Sequence, residues 1–160
     1  MGCDIHEMIE VESTYRWLNA GDPNSDRNYT IFSVLADVRN SDGVPFISSP
    51  RGVPENCSQE FEALVEYWGA DAHSLSWVTL EEMKAYDINQ KYTSTRVITG
   101  KDSDGKITGT CAWTKDKHLG PIGETTIFGV WGPHSWNNLI AKMEKVSEGR
   151  PTRLCFFFDN

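Results

Sequence analysis

The chain has 160 residues, and 15 Lys and Arg against 23 Asp and Glu leave a formal charge of −8. At this length roughly 70% of the surface of the unfolded chain is buried on folding, enough for one core without a disulfide framework or a structural metal. Scattered basic residues on an acidic chain exclude a general binder of DNA or RNA polymers, which needs clustered Lys and Arg. No apolar run approaches the ~18 residues needed to cross a bilayer, so no membrane partner is expected.

Residues 3–12, CDIHEMIEVE, alternate with Cys3, Ile5, Ile9 and Val11 on one face and Asp4, His6, Met8 and Glu10 on the other, the period of a half-buried strand. Tyr15, Trp17 and Leu18 return as the second arm of a hairpin, and the polar run GDPNSDRN follows as a loop. From Tyr29 to Val38, the spacing of Ile31, Val34, Leu35 and Val38 predicts a short amphipathic helix. Residues 40–55, broken by Gly43, Pro45, Pro50, Gly52 and Pro54, form a loop long enough to carry function. Asn56 with Gln59 offers a capping box for a helix through Phe61, Leu64, Val65 and Trp68 that Gly69 stops, and Thr79 with Glu82 does the same for a helix through Met83 to Tyr86. Residues 92–113 read as a hairpin about Asp104-Gly105. Ser135 starts a helix carrying Trp136, Leu139, Ile140 and Met143, and after Pro151 the run RLCFFFDN predicts a strand buried on both faces. Nothing repeats and no linker divides the chain. The expectation is one α+β domain over 1–160, with a mixed or antiparallel sheet, first and last strands adjacent, and three to four helices.

Four features bear on chemistry. Cys3, Cys57, Cys111 and Cys155 form no C-x-x-C pair, so reduced thiols in a cytoplasm are expected. Asp4 and His6, two apart on a strand, point to one face about 7 Å apart. They could share a metal or a proton, or form a hydrogen-bonded pair that orients a pocket. His73-Ser74 and His134-Ser135 each pair a histidine with a serine, but no G-x-S-x-G elbow surrounds either, and Ser135 reads as a helix N-cap. Arg27, Arg39 and Arg51 stand beside Asn, Gly and Pro turns, where arginine holds phosphate bidentately or pins a loop. Of the six tryptophans and five tyrosines, Tyr29, Trp77 and Trp131 are the candidates for stacking on a base.

The runs MGCDIH, RNYTIF, LADVRN, SPRGVP, DAHSLSWVTL and RLCFFFDN together resemble a family of small, largely uncharacterised bacteriophage and prophage proteins. The resemblance covers residues 1–82 and the C-terminal end. Residues 90–130 fall outside it and read as a hairpin insertion, and HSLS at 73–76 departs from an H-S-H-S pattern. The resemblance implies a phage-encoded counter-defence protein in the host bacterial cytoplasm that binds and sequesters a small nucleotide signal, a cyclic dinucleotide or an ADP-ribose derivative. Its polar marks are Asp4, His6, Arg27, Asn28, Arg39, Arg51, His73 and Asp159. Arg39 and Arg51 would hold phosphate, Trp77 or Tyr29 would stack on a base, and Asp4 and His6 would bond ribose or base edges, with pockets shared in a homo-oligomer and no cofactor. One alternative is a hydrolase of such a nucleotide, with Asp4, His6 and His73 as ligands of a divalent metal or as acid and base. Another is an acidic inhibitor of a host defence factor.

Overall fold

A computed structural model describes residues 2–112 and 115–160. Met1 of the opening run and Trp113, at the end of the expected hairpin, lie outside the described residues. The elements are β1 (Asp4–Glu12), β2 (Trp17–Asn19), α1 (Tyr29–Ala36), α2 (Gln59–Trp68), a single 3-10 turn (Gly69–Asp71), β3 (His73–Thr79), α3 (Leu80–Ala85), β4 (Lys91–Lys101), β5 (Ile107–Cys111), β6 (Pro121–Thr126), α4 (His134–Ser147) and β7 (Thr152–Asp159). They build an α+β fold with two antiparallel sheets, of order β2-β1-β7-β3 and β5-β4-β6.

β1 and β7 pair along their whole length, from Asp4 opposite Asp159 to Val11 opposite Thr152, and β3 flanks β7 on its other side. β7 is therefore interior in its sheet, and a core on each of its faces accounts for its unbroken apolar run. Leu154, Phe156 and Phe158 enter the larger core with Ile31 and Phe32 of α1, Met83 of α3 and Trp136 and Leu139 of α4. Cys155 and Phe157 point the other way and pack with Phe61 of α2. Beneath α2 the same face holds a buried ion pair: Arg153 Nε donates to Glu10 Oε2 at 2.8 Å, Ser58 N–H donates to Glu10 Oε1 at 2.6 Å, and the Arg153 guanidinium lies 4.0 Å from the Trp17 ring. Removing one partner of such a pair strands a charge and costs about 3–5 kcal/mol.

Capping explains most helix boundaries. Asn28 Oδ1 accepts the N–H groups of Thr30 and Ile31, and α1 stops where Asp37 turns left-handed at φ 60°. The capping box of Thr79 and Glu82 is formed as read. α2 differs: its cap is Ser58, whose Oγ accepts Phe61 N–H at 3.3 Å, because Asn56 stands at φ 52° and a cap residue needs extended backbone. α4 begins one residue before Ser135, with Pro133 at the cap position and no side-chain cap, so Ser135 lies inside the first turn.

The hairpin about Asp104-Gly105 is present as β4 and β5, with Gly105 at φ 81°. A third strand, β6, pairs with the other edge of β4. The residues that follow β6, Ile127 and Phe128, are buried in the main core, so the second sheet is anchored in the same core as the first. β6 escapes a periodicity reading because Pro121 and Gly123 are poor strand formers, tolerated here at a strand start and an edge. β3 is interrupted by a register shift between His73 and Ser76, with Ser74 at φ 52°, which breaks its alternation.

Candidate functional site

A cleft of about 380 Å³ opens between the start of α1 with the loop after it and the second sheet with residues 127–132. The α1 side contributes Arg27, Asn28, Tyr29, Arg39 and Asp42. The sheet side contributes Tyr92, Arg96 and Thr110, with Trp131 from the turn after β6. Two aromatic rings are accessible in it, Tyr29 at 41% exposure and Trp131 at 65%.

The arginines of the cleft are held differently. Arg27 makes a two-pronged ion pair with Asp4, Nε to Oδ1 and Nη2 to Oδ2, both at 2.6 Å. That bond holds the Asp4 carboxyl below its usual range. Arg39 takes left-handed backbone, φ 55°, and its Nη2 donates to Gly2 O at 3.3 Å and Asn160 Oδ1 at 3.1 Å, tying the segments that flank β1 and β7. Arg96 donates from Nε to Thr110 Oγ1 and from Nη2 to Thr110 O, each at 3.1 Å, so both of these bonds end on neutral oxygens.

Asp42 joins the two walls. Its carboxylate accepts Tyr92 O–H at 2.7 Å, Ser94 O–H at 2.8 Å and Thr95 N–H at 2.7 Å. Burial, and then the bond to Asp42, push the Tyr92 hydroxyl well above the usual phenol value.

Behind Arg27 the ends of β1 and β7 form a polar cluster. Asp159 Oδ1 accepts Asp4 N–H at 3.1 Å, Asp159 Oδ2 lies 3.2 Å from His6 Nε2, and the His6 ring packs 4.2 Å from Trp68 and 5.0 Å from Phe157. Asp4, His6 and Asp159 thus converge as the adjacency of first and last strands implied, and Asp4 joins them to the cleft through Arg27.

Three expected site residues stand elsewhere. His73 pairs with Phe158 and stacks on it at 6.1 Å, on the sheet face opposite His6 and Asp159; its Nδ1 lies 3.0 Å from Ser74 Oγ, and its Nε2 is buried with no hydrogen-bond partner among the described residues. Asp4, His6 and His73 therefore do not form one set of ligands, and no group of three or more His, Cys, Asp or Glu among the described residues could hold a metal ion. Arg51 pairs with Glu82, Nη2 to Oε1 at 2.6 Å and Nη1 to Oε2 at 2.9 Å, and also donates to Trp77 O at 3.1 Å. It pins the 40–55 loop to β3 and α3, outside the cleft. Trp77 carries two guanidiniums over its ring, Arg51 at 4.9 Å and Arg153 at 5.7 Å.

The residues that reading by motif missed are Asp42, Tyr92, Arg96 and Thr110. A signal was there: Tyr92, Ser94 and Arg96 recur every second residue, the polar face of a strand.

Among the described residues no helix is long and apolar enough to cross a membrane. In comparisons with known proteins, the chain matches no family model, no curated protein and no solved structure.

Proposed function

We propose that the protein binds a small nucleotide in this cleft and withholds it, a phage counter-defence factor acting on a nucleotide immune signal such as a cyclic dinucleotide or an ADP-ribose derivative. The observation that carries the reading is the pairing, in one cleft, of the Arg39 and Arg96 guanidiniums with the accessible rings of Tyr29 and Trp131. Guanidinium forks suit phosphate oxygens, and aromatic planes suit a base of any sequence. The volume is at the lower end of small-molecule sites, on the order of 300–1,000 Å³, and so suits a small ligand. The phosphate role moves from Arg51 to Arg96, and the stacking role from Trp77 to Trp131. The resemblance to phage proteins supplies the biological setting.

The test is to incubate the protein with cyclic dinucleotides and ADP-ribose isomers, remove it, heat it and chromatograph what is released. A nucleotide that leaves solution and returns intact supports the reading. New product peaks point to cleavage, and nucleotides that all stay free overturn it.

A further inference from the structure

Arg96 stands at an irregularity in β4. The pairing of β4 with β6 shifts register between Ser94 and Val97, so Thr95 and Arg96 lie in a bulge, the device by which a strand turns a side chain away from its regular direction. A bulge frees ladder groups that need other partners. Here the two amides of the bulge reach one side chain on the opposite wall, Thr95 directly and Arg96 by way of Ser94. Thr95 N–H donates to Asp42 Oδ1 at 2.7 Å, Ser94 Oγ donates to Asp42 Oδ1 at 2.8 Å, and the same Ser94 Oγ accepts Arg96 N–H at 3.1 Å. Thr95 Oγ1 adds a bond to Asp42 at 3.1 Å, and Tyr92 O–H completes the set.

We propose that Asp42 is the positioning residue of the cleft: by accepting the polar groups of the Ser94–Arg96 bulge it aims the Arg96 guanidinium into the site. The charge matters as well as the geometry. Thr95 N–H can only donate, and the Ser94, Thr95 and Tyr92 hydroxyls all donate to Asp42, so a carboxylate satisfies the set; the amide that Asp42→Asn introduces would turn an NH₂ toward part of it, where a hydroxyl must reverse its bond and accept. The inference rests on the nucleotide reading for its consequence in affinity, but its structural half stands independently of any ligand.

The test has two arms. In the first, Asp42→Asn is compared with the parent by amide hydrogen exchange and by the ¹⁵Nε resonance of Arg96. The expected result is faster exchange at Thr95 and Arg96 and a shifted Arg96 signal, with the amides of β1 and β7 unchanged; an unchanged Thr95 amide and Arg96 resonance overturn the proposal whatever the protein binds. In the second, any nucleotide that the parent binds is titrated into Asp42→Asn, Arg96→Ala and the double variant. Each single change should weaken binding about tenfold or more, and the double variant should be no weaker than Arg96→Ala. Additive losses overturn it. Tyr92→Phe, which removes one bond and keeps the ring, should give a smaller loss in the same direction and covers the case in which Asp42→Asn does not fold. Failure of the parent to bind any nucleotide removes the function proposed above and leaves the first arm to decide the role of Asp42.

Discussion

Two side chains outside the cleft make predictions at the scale of single residues. Arg51 binds Glu82 through both prongs and holds its carboxyl down to about 2. Both groups are partly exposed, so screening limits the pair's worth. Arg51→Ala should cost about 1 kcal/mol in urea unfolding at pH 7 and leave nucleotide uptake unchanged. Loss of uptake with unchanged stability would instead return Arg51 to the binding site. The sign with pH follows from Glu82: a depressed carboxyl stabilises the fold above its ordinary value near 4.5, and the gain fades as pH falls toward 2. Glu7 behaves in the opposite sense. It is 5% exposed, Ser25 N–H donates to its Oε1, and Oε2 is buried with no partner among the described residues. Burial raises its carboxyl to about 7; the Ser25 bond opposes this, as does the charge of Lys142 from α4, while Asp22 adds to it. A carboxyl raised in the folded state binds more protons folded than unfolded, so stability declines as pH rises from about 4.5 to 7 and stays low above. Glu7→Gln should remove that decline and add up to about 3 kcal/mol at pH 8, read from urea midpoints at pH 5 and pH 8. An unchanged slope in the variant would assign the pH dependence to other groups.

At the scale of elements, caps give a paired test. Ser58→Ala removes the side-chain acceptor at the start of α2 and should lower stability by about 1 kcal/mol, whereas Ser135→Ala, inside the first turn of α4, should change it little. Thermal unfolding of the two variants separates the positions; equal losses would show that Ser135 caps α4 after all. The same contrast shows what a sequence makes readable. The Thr79 box, the Asp104-Gly105 turn and the apolar run of β7 are local signals, and each produces the element it implies. Asn56 carries the same kind of signal and does not cap, because Trp17 N–H donates to its carbonyl at 3.0 Å in a left-handed turn. β3 and β6 were hidden by a bulge, a proline and a glycine. The site divides along the same line: the polar residues around α1 were recognisable as a group, but the opposite wall depends also on β6 and on the bulge in β4, which no local pattern announces.

At the scale of the molecule, the cleft lies where the second sheet meets the body that carries α1, so a ligand would contact both. Hydrogen exchange should therefore slow across β4, β5 and β6 on saturation, with little change in β1 and β7, and a nucleotide at 100 times its Kd should add about 2.7 kcal/mol of stability. Protection confined to β1 and β7 would move the binding site to the Asp4, His6 and Asp159 cluster. The central sheet carries a further consequence, for how the molecule comes into being. β7 lies between β1 and β3, and Asp4 meets a partner 155 residues away. On the ribosome β1 and β3 are both made before the strand that must lie between them, so during synthesis each waits with an open edge. Pairing across such separations is slow, and unfilled edges invite other chains. A nascent chain halted before Thr152 would hold the cleft residues, the second sheet and both neighbours of β7, yet lack the strand that joins β1 to β3, so the last eight-residue strand acts as the keystone set after the arch is raised.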